Sequence, residues 1–340
     1  MKHRTIIPII VILLSLCFLP FASGHVPIGT GPGDTLDTAA EIDNPTKSWV
    51  TYQDLHEGGE AQYFRFNISQ GERIRIIIGV PVTQGESGFS PDAVLMGSGI
   101  SDVGIVPSYV EIPEDSGSLS VDGVIPSNPY YEGFTPSTYY KVVDIDVSAN
   151  ATGTYYLAIH DESSGGEYML AIGYVETYNI AEWILVPIYS LQVYQWEGQP
   201  LLLVLFPISA LFLVGLVFLF LCRNEFPVHD TVWSVTVLSA FMYIGSAASF
   251  AFQTAYVVSN ASPTWEFGVS IAFTVTPLLL GIVTLRLALN YEWKTDFKKQ
   301  LKLLTFGVLG YLLWAGLIVA PSLLVLVSFG QILLTKISVS

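Results

Sequence analysis

The chain contains only two cysteines, at positions 17 and 222 of its 340 residues. Residue 17 lies in an apolar N-terminal segment, and residue 222 ends a long apolar run. The polar stretch between them has no cysteine, so no internal disulfide can stabilise it. A region of that size buries enough apolar surface to fold without such a cross-link.

Basic residues are scarce, with 14 Lys and Arg against 29 Asp and Glu and a net charge of −15. Residues 25–199 alone hold 24 acidic and five basic side chains. Proteins that bind nucleic acid need basic patches to neutralise phosphates, so this composition argues against a nucleic-acid partner.

Charge is absent altogether from four long apolar runs in the second half of the chain. None of the following contains Asp, Glu, Lys or Arg: residues 200–222, 231–258, 267–285 and 303–335. Each is long enough to cross a hydrocarbon layer of about 30 Å as a helix. The sequence therefore predicts a four-helix transmembrane region over residues 200–340. The last run exceeds the layer, which favours a tilt, a projection or a kink at Pro321.

The loops between these runs predict their orientation. Positive charge marks the cytosolic ends, and it is found at Arg223 and in the lysine-rich loop 290–302, whereas loop 259–266 has none. We therefore predict a multi-pass protein of the cell membrane, with residues 25–199 and the C-terminus both outside. Three glycosylation motifs fall on the predicted outer side, at Asn67, Asn150 and Asn260.

Residues 1–24 have the pattern of a secretory signal peptide. A basic start precedes the apolar core 5–19, and Ala22-Ser23-Gly24 provides the small residues of a cleavage site. Cleavage after Gly24 would make His25 the first residue of the mature chain. The alternative is a signal anchor that stays attached.

Residues 25–178 have the alternation of β-strands. In "AQYFRFNIS", Phe64, Phe66 and Ile68 share one face, and the same period of two recurs in "ERIRIIIGV", "YKVVDIDVSAN" and "GTYYLAIHD". Turns rich in Gly, Pro, Asn and Ser separate these runs. The pattern predicts an all-β, antiparallel sandwich outside the cell.

Three segments of this region resemble a known family. "GDTLDTAAEI", "LHEGGEAQYFRFNISQGERIRI" and "ATGTYYLAIHDESSGGEYMLAIGY" are similar to the strands of pre-peptidase C-terminal-type domains. The resemblance covers about residues 33–175 and implies a jelly-roll β-sandwich, an accessory module of secreted and surface proteins that is not itself catalytic. The Asp-rich middle strand of that family is replaced here by "SPDAVLMGSG".

Residues 179–199 link the two regions and are apolar and aromatic, with Pro187 in the middle. We interpret them as an interfacial segment that holds Trp183 and Trp196 near the lipid headgroups. A re-entrant fifth membrane element is the alternative.

Three histidines are candidate metal ligands. A terminal His25 would offer its α-amine and imidazole together, and His56 or His160 would add a third nitrogen, a set that suits copper(II). The competing interpretation is a flexible tail and two ordinary polar histidines. The "HEGGE" segment at 56–60 is not a zinc-protease motif, because two glycines disfavour the helix that such a site needs. The acidic side chains form no EF-hand loop.

Two further observations bear on function. "NPYYEGFTPSTYY" concentrates aromatic rings that favour a ligand or partner surface, a cap on the sandwich core, or a contact with the membrane. The four apolar runs hold no ionisable Asp, Glu, Lys or Arg, and Gln253 stands out among their few strongly polar side chains, which argues against ion or proton transport.

Together these patterns predict a membrane protein without enzymatic activity. It would display the acidic β-sandwich for binding or assembly with a protein partner or a second copy of itself. The competing hypothesis is a copper-binding protein, or an accessory subunit of a copper oxidase, with ligands His25, His56 and His160.

Overall fold

The computed structural model describes residues 24–29, 31–224 and 230–339. The predicted signal peptide, residues 1–24, lies outside the described residues apart from Gly24. The described chain has a β domain up to residue 178, followed by a helical region.

The β domain contains eleven described strands. They are β1 Val26–Pro27, β2 Ala40–Glu41, β3 Trp49–Leu55, β4 Glu60–Ile68, β5 Arg73–Pro81, β6 Asp92–Gly97, β7 Gly117–Val121, β8 Tyr130–Glu132, β9 Ser137–Ser148, β10 Gly153–Asp161 and β11 Gly166–Ile172. One sheet has the order β1-β3-β11-β5-β9-β8, and the other has β2-β4-β10-β6-β7. We call them the first and second sheet.

Both sheets contribute to one buried apolar cluster. Phe64 and Phe66 of β4 belong to it, as do Ile76 of β5, Ile145 of β9 and Leu170 of β11. The period of two in the sequence explains this cluster, because alternate side chains of a strand point to the same face. The predicted alternation is thus confirmed at the level of strands and core.

The helices are described with the following bounds. They are α1 Val82–Glu86, α2 Ile180–Trp196, α3 Leu201–Leu221, α4 Thr231–Asn260, α5 Phe267–Leu289, α6 Phe297–Leu312 and α7 Val319–Val339. Side-chain caps begin several of them. Asn179 and Glu182 form a capping box at α2, and Asp296 accepts hydrogen bonds from two backbone amides of α6.

Three of the four predicted spans are confirmed as helices that can cross a membrane by length and composition. These are α3, α4 and α5, which have 21, 30 and 23 residues. They correspond to the predicted runs 200–222, 231–258 and 267–285, with α5 ending four residues later than predicted.

The fourth predicted span, 303–335, is wrong as a single helix. Helices α6 and α7 are separated by a turn at 313–318 and pack against each other in opposite directions. The side chain of Tyr311 meets that of Ser322 at 2.6 Å, and Gln300 Nε2 donates to Thr335 Oγ1 at 2.9 Å. The end of α7 therefore returns to the lysine-rich loop, so the C-terminus lies at the opposite end of the helices from the β domain. The sequence predicts the same side for both, whereas the described end of α7 and the β domain lie at opposite ends of the helices.

Backbone geometry and tertiary contacts explain the turn. Trp314, Gly316 and Leu317 have positive φ angles of 51°, 69° and 55°. A left-handed conformation costs a non-glycine residue roughly 1–2 kcal/mol. Hydrogen bonds offset this cost, since Trp314 Nε1 donates to the carbonyl of Trp183 at 2.9 Å and the Gly316 amide donates to Ser246 Oγ at 2.7 Å. Pro321 does not kink a helix, because it lies in the first turn of α7, where proline is tolerated.

The predicted linker, 179–199, is mostly the helix α2, which packs between the β domain and the other helices. Its Trp196 is buried against Tyr52 and Tyr139 of the first sheet, at ring distances of 5.1 and 6.3 Å. Its Trp183 lies 4.8 Å from the ring of Trp314. Both tryptophans therefore pack against aromatic side chains of this same chain.

Candidate binding cleft between the β domain and the helices

The loop between β8 and β9 docks onto the start of α5. The Gly133 amide donates to Glu266 Oε2 at 3.0 Å, and its carbonyl accepts from Ser270 Oγ at 2.8 Å. The Tyr131 hydroxyl also meets Ser270 Oγ at 2.8 Å. The amide and the carbonyl of Gly133 are thus both hydrogen-bonded at the start of α5. These two bonds orient the β domain on the helices.

Phe134, one residue further, enters an aromatic cluster formed by the helices. Its ring lies 4.9 Å from Trp314, 6.0 Å from Trp183 and 6.4 Å from Phe273. The rings of Trp314 and Phe273 stack at 4.2 Å. The predicted aromatic stretch "NPYYEGFTPSTYY" therefore packs in part against this chain's own helices.

A buried polar chain provides a second junction. The Thr138 amide donates to Glu197 Oε1 at 2.6 Å, and Gln199 Nε2 donates to Glu197 Oε2 at 3.0 Å. Gln199 and Gln253 exchange two amide hydrogen bonds at 2.9 and 3.0 Å. Burial raises the pKa of Glu197 to about 8. Gln253, the polar side chain noted within the apolar runs, thus connects α4 to strand β9.

A cleft lies between these two junctions, and it has two adjacent chambers. The inner chamber has a volume of about 50 Å³, and its aromatic lining consists of Tyr52, Phe134, Tyr139, Tyr178, Tyr189 and Trp196. The outer chamber has a volume of about 310 Å³, and its charged lining consists of Arg73, Arg75, Lys141, Glu132, Glu176 and Glu266. Gly24, His25, Glu132 and Tyr139 line both chambers.

Glu132 is the carboxylate that both chambers share. It is half-buried, and its Oε1 accepts from the Phe134 amide at 2.9 Å. Burial, followed by repulsion from Glu266, raises the pKa of Glu132 to about 8. No cationic side chain of the described residues lies within ion-pair distance of Glu132. Its charge is therefore poorly compensated by the protein.

The three cations of the outer chamber differ in how they are paired. Arg73 forms two hydrogen bonds with Asp146, and Arg75 forms two with Asp144. Lys141 Nζ lies 3.9 Å from Asp144, which Arg75 already holds, and 4.7 Å from the centre of the Tyr130 ring. Burial lowers the pKa of Lys141. Lys141 is thus the most weakly paired of the three.

The predicted metal ligands lie in three different surroundings. His25 lines the cleft, where its Nδ1 meets Ser48 Oγ at 2.5 Å, and burial followed by the nearby cations lowers its pKa to about 4. His56 is exposed and pairs with Glu60 at 3.3 Å, which raises its pKa. His160 is buried in the second sheet beside the Tyr109 hydroxyl, at 3.2 Å.

The structure does not bring these histidines together. Within the residues it describes, no three His, Cys, Asp or Glu side chains are arranged to hold a metal ion. At neutral pH the imidazole of His25 is uncharged, and it donates to or accepts from a serine.

The three predicted glycosylation sites are all exposed. Asn67 and Asn150 belong to the β domain, and Asn260 ends α4 close to Ala261, which packs with Tyr131 of β8. All three therefore lie at the same end of the molecule.

Sequence reasoning did not identify Glu132, Lys141 and Glu266 as neighbours. One signal was present, since Glu266 is an isolated acid just before a charge-free run, and Lys141 is one of five cations in the acidic region. Their proximity depends on how the β8–β9 loop packs against α5, and no local sequence pattern encodes this contact.

Comparison with known proteins adds no family assignment. No protein-family model matches the chain, and no curated protein sequence matches it significantly.

Proposed function

We propose that this chain is an integral membrane protein that displays an acidic, jelly-roll-type β-sandwich outside the cell and binds a small ligand there without transforming it. The observation that carries the proposal is the cleft between the β domain and α2, with its aromatic inner chamber and charged outer chamber. Pockets that combine apolar walls with a few polar groups are the usual form of ligand sites.

The two junctions support a binding role for the cleft. Gly133 on one side and the Glu197–Gln199–Gln253 chain on the other hold the β domain against the helices. A site with preorganised walls loses less conformational entropy when a ligand binds. The same junctions would transmit a change at the cleft to α4 and α5.

The distribution of charge supports the proposed orientation. Lys298 and Lys299 lie at the start of α6, at the end of the helices that is remote from the β domain. The positive-inside rule then puts this end in the cytosol, with the β domain and the cleft outside and the end of α7 inside.

The test uses the full-length protein in lipid nanodiscs. Its melting temperature is measured with a panel of amino acids, amines, sugars, carboxylates and copper(II), in the wild type and in Tyr139→Ala. We expect at least one compound to stabilise the wild type and to have a smaller effect on the variant, because Tyr139 lines both chambers. Tyr156→Ala, which alters a half-buried ring on the second sheet that lines neither chamber, is the matched control. A panel without any compound that distinguishes the wild type from Tyr139→Ala would contradict the proposal.

A further inference from the structure

We infer that the cleft accepts a small organic zwitterion, with its ammonium group in the inner chamber at Glu132 and its acidic group in the outer chamber at Lys141. This inference rests on the proposed binding function and names the chemical class of the ligand. It follows from the separation of opposite charges along one cleft.

The inner chamber has the chemistry of an ammonium site. Among the described residues that line it, Glu132 is the one acidic side chain, there is no Lys or Arg, and His25 is uncharged at neutral pH. Aromatic rings line the remaining space, and a cation over the face of such a ring is attracted by the ring's quadrupole. A carboxylate together with aromatic rings therefore favours a cation over a neutral or anionic group.

Glu132 also has a reason to bind a cation. A half-buried carboxylate without a cation at ion-pair distance is costly, and the protein relieves this cost by retaining a proton. A ligand ammonium group would replace that proton and permit the carboxylate to ionise. Neither Arg73 nor Arg75 can do so, because aspartates hold both guanidinium groups.

The outer chamber supplies the opposite charge. Lys141 lines it, with an aspartate at 3.9 Å and an aromatic ring as its neighbours. A ligand carboxylate would give Lys141 a closer partner than Asp144. A simple cation would be repelled by Lys141, and a simple anion would leave Glu132 without a partner. A molecule with both charges satisfies both ends.

The test compares two probes of the same shape. Glycine betaine carries a trimethylammonium group and a carboxylate, and 3,3-dimethylbutanoate replaces its nitrogen by carbon, which removes the positive charge. Binding to the full-length protein in nanodiscs is followed by calorimetry and by the fluorescence of Trp196. We expect glycine betaine to bind at least tenfold more tightly than the isostere, tetramethylammonium or acetate. Equal binding of betaine and its isostere would overturn the inference.

Two substitutions test whether the ammonium end of the ligand lies at Glu132 and the acidic end at Lys141. Glu132→Gln should weaken betaine binding at least tenfold and leave binding of the isostere nearly unchanged. Lys141→Met should weaken the binding of both, because both carry the carboxylate. Glu41→Gln removes an exposed carboxylate on the second sheet and is the matched control. Betaine binding that is unchanged in Glu132→Gln would also overturn the inference.

The chain's own N-terminus is a second source of an ammonium group. His25 lines both chambers, so cleavage after Gly24 would place an α-ammonium group at the cleft. Betaine is therefore titrated into two preparations, one that begins at His25 and one that retains a short extension before it. We expect similar affinities. Binding confined to the extended chain would assign the site to the terminus and refute a free zwitterion.

Failure of this inference is distinguishable from failure of the proposed function. If another compound of the panel stabilises the protein through Tyr139 while betaine and its isostere bind equally, the cleft is a ligand site of different chemistry. If nothing in the panel acts through Tyr139, both proposals fail.

Discussion

The substitution Gly133→Ala tests how the β domain is held on the helices. A Cβ atom at residue 133 would lie 2.5 Å from both the Cβ and the carbonyl oxygen of Glu266. Real Cβ atoms do not approach other atoms so closely, and the Glu266 backbone has little freedom at the start of α5. The loop must therefore move away from α5, and this movement breaks the two backbone hydrogen bonds of Gly133 to Glu266 and Ser270.

The structure sets the size of the effect. The hydrogen bond to the Glu266 carboxylate contributes about 1.5–3 kcal/mol if the acid is ionised, and the one from Ser270 about 0.5–1.5 kcal/mol. Displacement of Phe134 from its aromatic cluster adds part of the roughly 3–5 kcal/mol that is typical of a buried phenylalanine. We expect the docked state to lose at least about 3 kcal/mol, which is a factor of more than 100 in its population.

Hydrogen exchange on the full-length protein in nanodiscs measures this loss. Peptides that cover residues 130–138 should exchange about 100-fold faster in Gly133→Ala, because local opening sets their protection. Peptides from β10, in the second sheet, should keep their protection. The fluorescence of Trp314, which packs on Phe134, should change together with the exchange rate.

Gly153→Ala is the matched control. No heavy atom lies within 4 Å of the position of its Cβ, and its φ is not in the left-handed region. The same chemical change there should leave exchange at 130–138 as it is in the wild type. Wild-type protection of residues 130–138 in Gly133→Ala would refute the docking mechanism.

Three further predictions concern the second junction, the cleft and the C-terminus. Gln199→Leu and Gln253→Leu should each lower the free energy of unfolding by about 1–3 kcal/mol, and the double variant by less than the sum, as measured by thermal denaturation. Because burial raises the pKa of Glu132 to about 8, the folded chain retains a proton that the unfolded chain loses above about 4.5. This proton should therefore contribute a fall in the free energy of unfolding of up to about 1.4 kcal/mol per pH unit from pH 4.5 to 8, beside a similar contribution from Glu197, and Glu132→Gln should remove the first contribution alone; an unchanged slope would contradict it. A C-terminal epitope tag should be accessible from the side of Lys298 and not from the side of the β domain, which antibody labelling of sealed vesicles would decide.

Local patterns in the sequence predicted the strands and most helices correctly. Phe64, Phe66 and Ile68 alternate with polar residues, and all three lie in the core, because the period of a strand directs alternate residues to one side. The charge-free runs 200–222 and 267–285 fall in helices, because such a backbone satisfies its own hydrogen bonds in an apolar layer.

The same reasoning failed where a helix had to end without a local signal. Residues 303–335 contain no charged side chain, and their excess length and Pro321 indicated a tilt, a projection or a kink but not two helices that pair. The turn at Trp314 exists because Trp183, Phe273 and Ser246 stabilise it from three other helices. Those contacts join residues that are distant in sequence. No local stretch of the sequence therefore contains the interactions that offset the cost of the strained backbone.

The sequence by itself determined that one half of the chain is acidic and polar and that the other half is apolar enough to enter a membrane. Composition and hydrophobic period alone set these two properties. Tertiary structure alone decided the cleft, the reversal of the last helices and the separation of the three histidines. Glu132, Lys141 and His25 meet there because strands far apart in the chain pair side by side and a loop seats on α5. Such long-range packing has no local signature, and the charges that would bind a ligand are arranged by it.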